Sequence, residues 1–135
     1  MPFWNGNGPM AGMHFAFPDV CKVPTPVGPI PTPFPNFALT PASIPSQAKV
    51  LAMCMPTHNV MTVTPLSNGD APGVALGVVS NLVMGPACAA MGSTNVLVGG
   101  PPVAKFGMPT KQNGLSPNAV GATIAPSQIK VMALR

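Results

Sequence analysis

The sequence predicts a single all-β domain made of short strands and tight turns, and three observations carry that expectation. Short apolar runs are broken by turn signals at intervals of about 8 to 12 residues, the spacing of sheets built from hairpins. No stretch has a convincing helical periodicity. Proline (20) and glycine (14) together supply 34 of the 135 residues, which rules out long helix interiors. The same composition would read as disorder, except that 47% of residues are hydrophobic and only 6% charged. Disordered chains show the reverse balance.

Residues 1–14 are rich in Gly, Asn and Met, with Trp4 the only tryptophan; they read as a flexible or capping arm ahead of one domain spanning residues 15–135. Residues 15–36, FAFPDVCKVPTPVGPIPTPFPN, form a proline-rich strap. Pro24, Pro26, Pro29, Pro31, Pro33 and Pro35 fall almost on alternate positions, and each residue before a proline is pushed towards extended geometry. The spaces hold Val23, Val27, Ile30, Phe34 and Phe37, which want a surface to lie on, so the strap is expected to pack across a β-body. The alternative is an exposed proline-rich ligand for another protein's aromatic groove.

Residues 45–53, PSQAKVLAM, give a turn and a short strand, and residues 126–134, PSQIKVMAL, repeat them with six of nine positions identical at a spacing of 81. Two equivalent strands imply two related places in the fold. Between them lie apolar runs at 60–64, 74–83, 95–98 and 103–106, separated by Ser67-Asn68-Gly69-Asp70, Met84-Gly85-Pro86 and Gly99-Gly100-Pro101-Pro102, the first a strong hairpin signal. Residues 87–91 could make one helical turn, ended by Gly92, and residues 111–121 read as a turn-rich linker.

Eight formal charges are about a quarter of the usual fraction for a soluble monomer. Much of the surface is therefore expected to be covered by a partner protein, since no run approaches the roughly 18 apolar residues of a spanning helix. The net charge of +4 is spread over Lys22, Lys49, Lys105, Lys111, Lys130 and Arg135 without a cluster or interleaved aromatics, so nucleic acid is not an expected partner. The N-terminus lacks the basic and apolar regions of a secretory signal, which places synthesis in the cytoplasm. Three cysteines argue against a disulfide framework. Asp19 and Asp70 are the only acidic residues; the first is expected to accept backbone hydrogen bonds and the second to serve its turn. With no paired carboxylates, no acid to orient a Cys54–His58 pair, and glycines outside any strand-to-helix junction, the chain is expected not to be an enzyme.

FPDVCK followed by PIPTPFPN, then PSQAKV, CMPTHN, SNGDAPG, VVSNLVMGP and the closing QNGLSPNAVGATIAPSQIKVMAL together resemble the PAAR-like domains of bacterial type VI secretion systems, over residues 15–135. The resemblance implies a small cone-like assembly of β-hairpins whose base sits on a trimeric β-helical spike protein, with open edges that could extend the spike's strands. It also implies a structural tip or adaptor that sharpens the spike, recruits a toxic effector or its chaperone, and leaves the cell at the spike tip. Nothing follows Arg135, which fits a stand-alone tip. Related domains hold zinc near the apex through histidines and a cysteine. Here His14, Cys21, Cys54 and His58 would make a Cys₂His₂ set, although that departs from the family's histidine-rich site, and Cys88 reads as packing. The competing reading is a cytoplasmic metal- or peptide-binding adaptor.

Overall fold

The computed structural model describes residues 3–44 and 46–133. The remainder of the expected arm and repeats, Met1, Pro2, Pro45, Leu134 and Arg135, lies outside the described residues. Eight strands follow in order: β1 (Met13–Thr25), β2 (Gly28–Leu39), β3 (Gln47–Ala52), β4 (Met55–Thr57), β5 (Val63–Thr64), β6 (Ala87–Ala89), β7 (Pro109–Gln112) and β8 (Ala119–Ala125). A single 3₁₀ turn, Thr40–Ala42, is the only helical element among the described residues. All pairings are antiparallel. Six strands form one sheet in the order β2-β1-β8-β7-β6-β5, and β3 and β4 form a separate hairpin.

The proline strap is the longest hairpin of the fold, β1 and β2 closing on Pro26 and Val27 with Thr25 opposite Gly28. Proline can occupy a strand only where its missing N–H is not needed. Phe37 turns both its backbone groups outward to Asn68, donating at 2.7 Å and accepting at 2.7 Å. Antiparallel alternation then turns every second residue of β2 outward as well, and those residues are Pro35, Pro33, Pro31 and Pro29. Asn36, Phe34, Thr32 and Ile30 keep their N–H groups for β1. The alternation therefore builds an edge strand that has lost its outward donors, which prevents addition of a further strand there. At the far edge, Val63 of β5 exchanges hydrogen bonds with Ile44 at 2.9 and 2.8 Å, so each outer strand carries one further bridge beyond the six-stranded sheet.

β1 carries an extra residue between Ala16 and Asp19 relative to β2. Before this bulge the inward residues are His14 and Ala16, after it Asp19 and Cys21, all buried. One extra residue reverses the side-chain parity, and so a single face of β1 stays inward across the irregularity.

Several segments differ from expectation for identifiable reasons. Residues 87–91 start as β6 rather than a helical turn, because Cys88 pairs with Val63 on one side and Lys111 on the other. The expected linker is largely the β7–β8 hairpin, with Gln112 opposite Ala119. Residues 74–83 are not a strand but a series of turns held against β1, with Lys22 N–H on Leu76 O at 3.0 Å and Val78 N–H on Val20 O at 3.1 Å. Of the two repeats, the first forms β3, whereas the second is irregular apart from a bridge between Met132 and Phe3. There the side-chain Oε1 of Gln128 accepts the N–H groups of Lys130 at 2.8 Å and Val131 at 2.7 Å, consuming donors that a strand would offer its neighbour. Residues 3–12 are threaded through the body instead of standing free as an arm. Trp4 bridges Lys105, Gly6 bridges Thr57, and Asn5 is buried.

The interior is small-residue and polar. Buried apolar side chains are Ala, Val and Cys, and the one apolar cluster is Val98, Val103 and Ala133 with Trp4, Val50 and Val96 against it. Buried Asn, Thr, Ser, Gln, His and Asp side chains fill the rest. Conversely, every leucine and every isoleucine among the described residues is exposed. The solvent-accessible surface of 6589 Å² equals the roughly 6,600 Å² of a folded monomer of this mass, so these side chains are outside a fully collapsed chain.

Candidate functional site: a buried aspartate, cysteine and asparagine cluster

Asp19 and Cys21, two apart on β1, point to one face of the strand as its period of two requires, and both are fully buried. The loop following β5 reaches back over β2 through the Asn68–Phe37 pairing and delivers Asp70, also fully buried, to the same place. The β7–β8 connection supplies Asn113 and Asn118, and β2 supplies Asn36. All of the chain's acidic side chains are therefore interior. The five lysines among the described residues therefore have no side-chain carboxylate of the chain beside them on the surface.

The hydrogen bonds are dense. Asn36 Nδ2 donates to Asp19 Oδ2 at 2.7 Å, and Asn118 Nδ2 donates to Asp19 Oδ1 and to the Val20 carbonyl. Asn113 Nδ2 lies 3.3 Å from Asp19 Oδ1, 2.8 Å from Asp70 Oδ2, 3.5 Å from Cys21 Sγ and 3.0 Å from the Leu82 carbonyl. The Met84 N–H donates to both Asp70 oxygens, at 3.2 and 3.1 Å. Cys21 Sγ is 3.7 Å from Asp19 Oδ1 and 3.6 Å from Asp70 Oδ2.

Burial pushes the Cys21 thiol up to about 12, with the charges of Asp19 and Asp70 adding to it, and the sulfur stays protonated. Burial also raises the Asp70 carboxyl above its ordinary value, against the opposing pull of the Met84 N–H. The charge of nearby Asp19 adds to the rise at Asp70. The Cys21 thiol is therefore not a nucleophilic thiolate.

The ligand atoms of Asp19, Cys21 and Asp70 lie within 4.8 Å of one another, the only such group of three among the described residues. By donor type and spacing they could hold a metal ion. His14, Cys54 and His58, expected to join Cys21, are elsewhere. The His14 Nδ1 is 2.9 Å from the Thr123 hydroxyl and the ring is buried. His58 is buried and pairs through Nε2 with Asn7 Oδ1. Cys54 is exposed at the β3–β4 turn, where Met53 and Cys54 have φ of 51° and 65°. Cys88 is buried in β6. Desolvation holds both histidines down to about 4, so both are neutral; His14 adds to the effect on His58. Turn chemistry was too small a role for Asp70, and no sequence motif marks Asn36, Asn113 and Asn118. The available signal was scarcity: a chain with two acids and many asparagines has few ways to satisfy a buried carboxylate.

Residues 12–121 match the toxin PAAR-like domain family. The chain belongs to that family. The match covers every strand of the PAAR-like sheet except the last residues of β8, and it includes all six residues of the cluster. No curated protein and no solved structure gave a match. A PAAR-like domain associates this chain with the spike and effectors of type VI secretion systems in general terms, and such domains are structural or toxin-associated rather than an enzyme family. Among the described residues no helix is long and apolar enough to cross a membrane.

Proposed function

We propose that this chain is a tip or adaptor of a type VI secretion spike: it seats on the blunt end of the trimeric β-helical spike protein, sharpens it, recruits an effector or its chaperone, and is exported with it. The observation that supports this reading is the inverted distribution of side chains. Every described Leu and Ile and five valines are exposed, while Asp19, Asp70 and many Asn and Thr side chains are buried, in a chain with eight charges. Exposed apolar surface on that scale marks an interaction face, and few charges have to be desolvated when it is covered.

The proline-lined edge of β2 supports docking through side chains. Contact is made by side chains such as Val120 and Ile124 of β8, both exposed, and not by adding β2 or β5 to the spike's strands. Every charged surface side chain among the described residues is a lysine, which favours a partner face with carboxylates around an apolar centre. The reading assigns no reaction to this chain.

Co-expression with a trimeric β-helical spike protein tests it. One chain per trimer should co-purify and remain bound through size exclusion. If the chain elutes separately as a monodisperse monomer at every ratio, the assignment fails. The peptide-adaptor reading predicts instead that the isolated strap binds a partner by itself. Its conversion into a paired hairpin strand argues against that.

A further inference from the structure

We propose that in this chain the side-chain amide of Asn113, and not a metal ion, ties together the ligand atoms of Asp19, Cys21 and Asp70. The inference rests on the cluster's geometry and does not depend on the spike reading.

A tetrahedral metal would sit among three or four acceptors drawn from separate segments. Asn113 Nδ2 is in such a position: its neighbours are Asp19 Oδ1, Asp70 Oδ2, Cys21 Sγ and the Leu82 carbonyl, at 3.3, 2.8, 3.5 and 3.0 Å. They come from β1 and two parts of the loop between β5 and β6. The amide cannot be turned to present its oxygen instead, because Asn113 Oδ1 accepts the Gly85 N–H at 3.0 Å.

The surrounding chain is shaped to admit amides. A Cβ on Gly85 would meet Asn113 Oδ1 at 2.9 Å, and one on Gly77 would meet the Asn118 amide group at 2.8 Å. The other carboxylate oxygens are engaged too, Asp19 Oδ2 by Asn36 and Asp70 Oδ1 by the Met84 N–H. An ion could enter only by evicting the Asn113 nitrogen and breaking its contacts.

The donor count closes without a metal. Besides Asn113, Asp19 Oδ1 accepts from the Asn118 amide, Asp70 Oδ2 from the Met84 N–H and the Leu82 carbonyl from the Gly77 N–H, while the thiol proton of Cys21 lies near one oxygen of each aspartate. Zinc would instead require that thiol as a thiolate.

Three measurements on the full chain decide. The protein is purified with zinc in the medium, and its metal content is read by native mass spectrometry. Its melting temperature is then compared with and without EDTA. Asn113→Asp, which swaps the amide for a third carboxylate of the same shape, is melted with and without added zinc or calcium. Wild type is expected to carry no stoichiometric metal and to melt unchanged in EDTA. Asn113→Asp is expected to melt lower than wild type and to regain melting temperature when a divalent ion is added. A metal that EDTA removes without moving the melt supports the amide as the tie. A stoichiometric metal whose removal lowers the wild-type melting temperature overturns the proposal, as does an Asn113→Asp variant that melts like wild type and ignores divalent ions. Should that variant fail to fold in either condition, the wild-type comparison decides alone.

Discussion

Asp19 accepts from three side-chain amides of the cluster, those of Asn36, Asn113 and Asn118. Asp19→Ala would leave three buried amides short of an acceptor, and at 1 to 3 kcal/mol for each unmet group the loss should be about 3 kcal/mol or more; denaturant titration reads it directly. Asp70→Asn should behave differently. Because burial raises the folded-state value of Asp70, ionising it costs stability as pH rises above its ordinary carboxylate range, and the amide variant should lack that loss. His14 and His58 act in the opposite pH direction. Both are held near 4 in the fold, below the unfolded value of 6.5. The unfolded chain therefore takes up protons first, and stability present above pH 6.5 is lost as pH falls towards 4, by about 3 kcal/mol for each histidine. Melting temperature followed from pH 7 to 4 should fall, and His14→Gln should flatten the fall. A curve that rises over that range would contradict the burial of the two rings.

The same residues acquire meaning from the elements that hold them. The bulge in β1 keeps Asp19 and Cys21 on the face already occupied by His14 and Ala16, and the β7–β8 turn brings two asparagines onto that face from the other side. On β2 the prolines act together. Restoring donors with Pro31→Val and Pro33→Val should leave the hairpin paired, since neither N–H points at β1, but it should open an edge for self-association. Size exclusion with light scattering would show dimers or larger species at concentrations where wild type does not form them. An unchanged elution would mean that the edge is protected by something other than the missing N–H groups. Phe15 and Phe37, paired across β1 and β2 with ring centroids 5.3 Å apart, anchor the base of that hairpin, while Val27 at its far end is 94% exposed.

Across the whole molecule, stability comes from hydrogen-bonded polar contacts around a small apolar cluster, and apolar area is left for a partner. The purified chain should bind an environment-sensitive apolar dye while folded, and a spike protein should displace that dye. With lysines as the charged groups outside, association with the spike should also weaken as salt is raised. Val120→Asp and Ile124→Asp, on exposed positions of β8, should change the melting temperature little, by about 0.5 kcal/mol equivalent, while reducing co-purification. Wild-type binding by both variants would move the docking face elsewhere.

Much of this was legible in order along the chain. Proline and glycine frequency, turn spacing and the lack of helical period determined an all-β chain of short strands; low charge with high apolar content pointed to an apolar surface; and the succession of motifs pointed to the PAAR-like family. These depend on residue type and near neighbours, which a linear reading contains. The tertiary structure decided what depends on distant residues meeting. Which prolines face the edge follows from Phe37 finding Asn68, and the fate of the second repeat follows from Gln128 folding back on its own backbone. The meeting of Asp19, Cys21 and Asp70 around Asn113 follows from the return of the 67–85 loop over β1 and β2, while His14 and His58 are taken up by Thr123 and Asn7. Spacing in sequence limits what a turn can close, but contacts between distant residues, such as Asn118 with Asp19, 99 positions apart, and Gln128 with Trp4, 124 apart, are set only by how the strands pack.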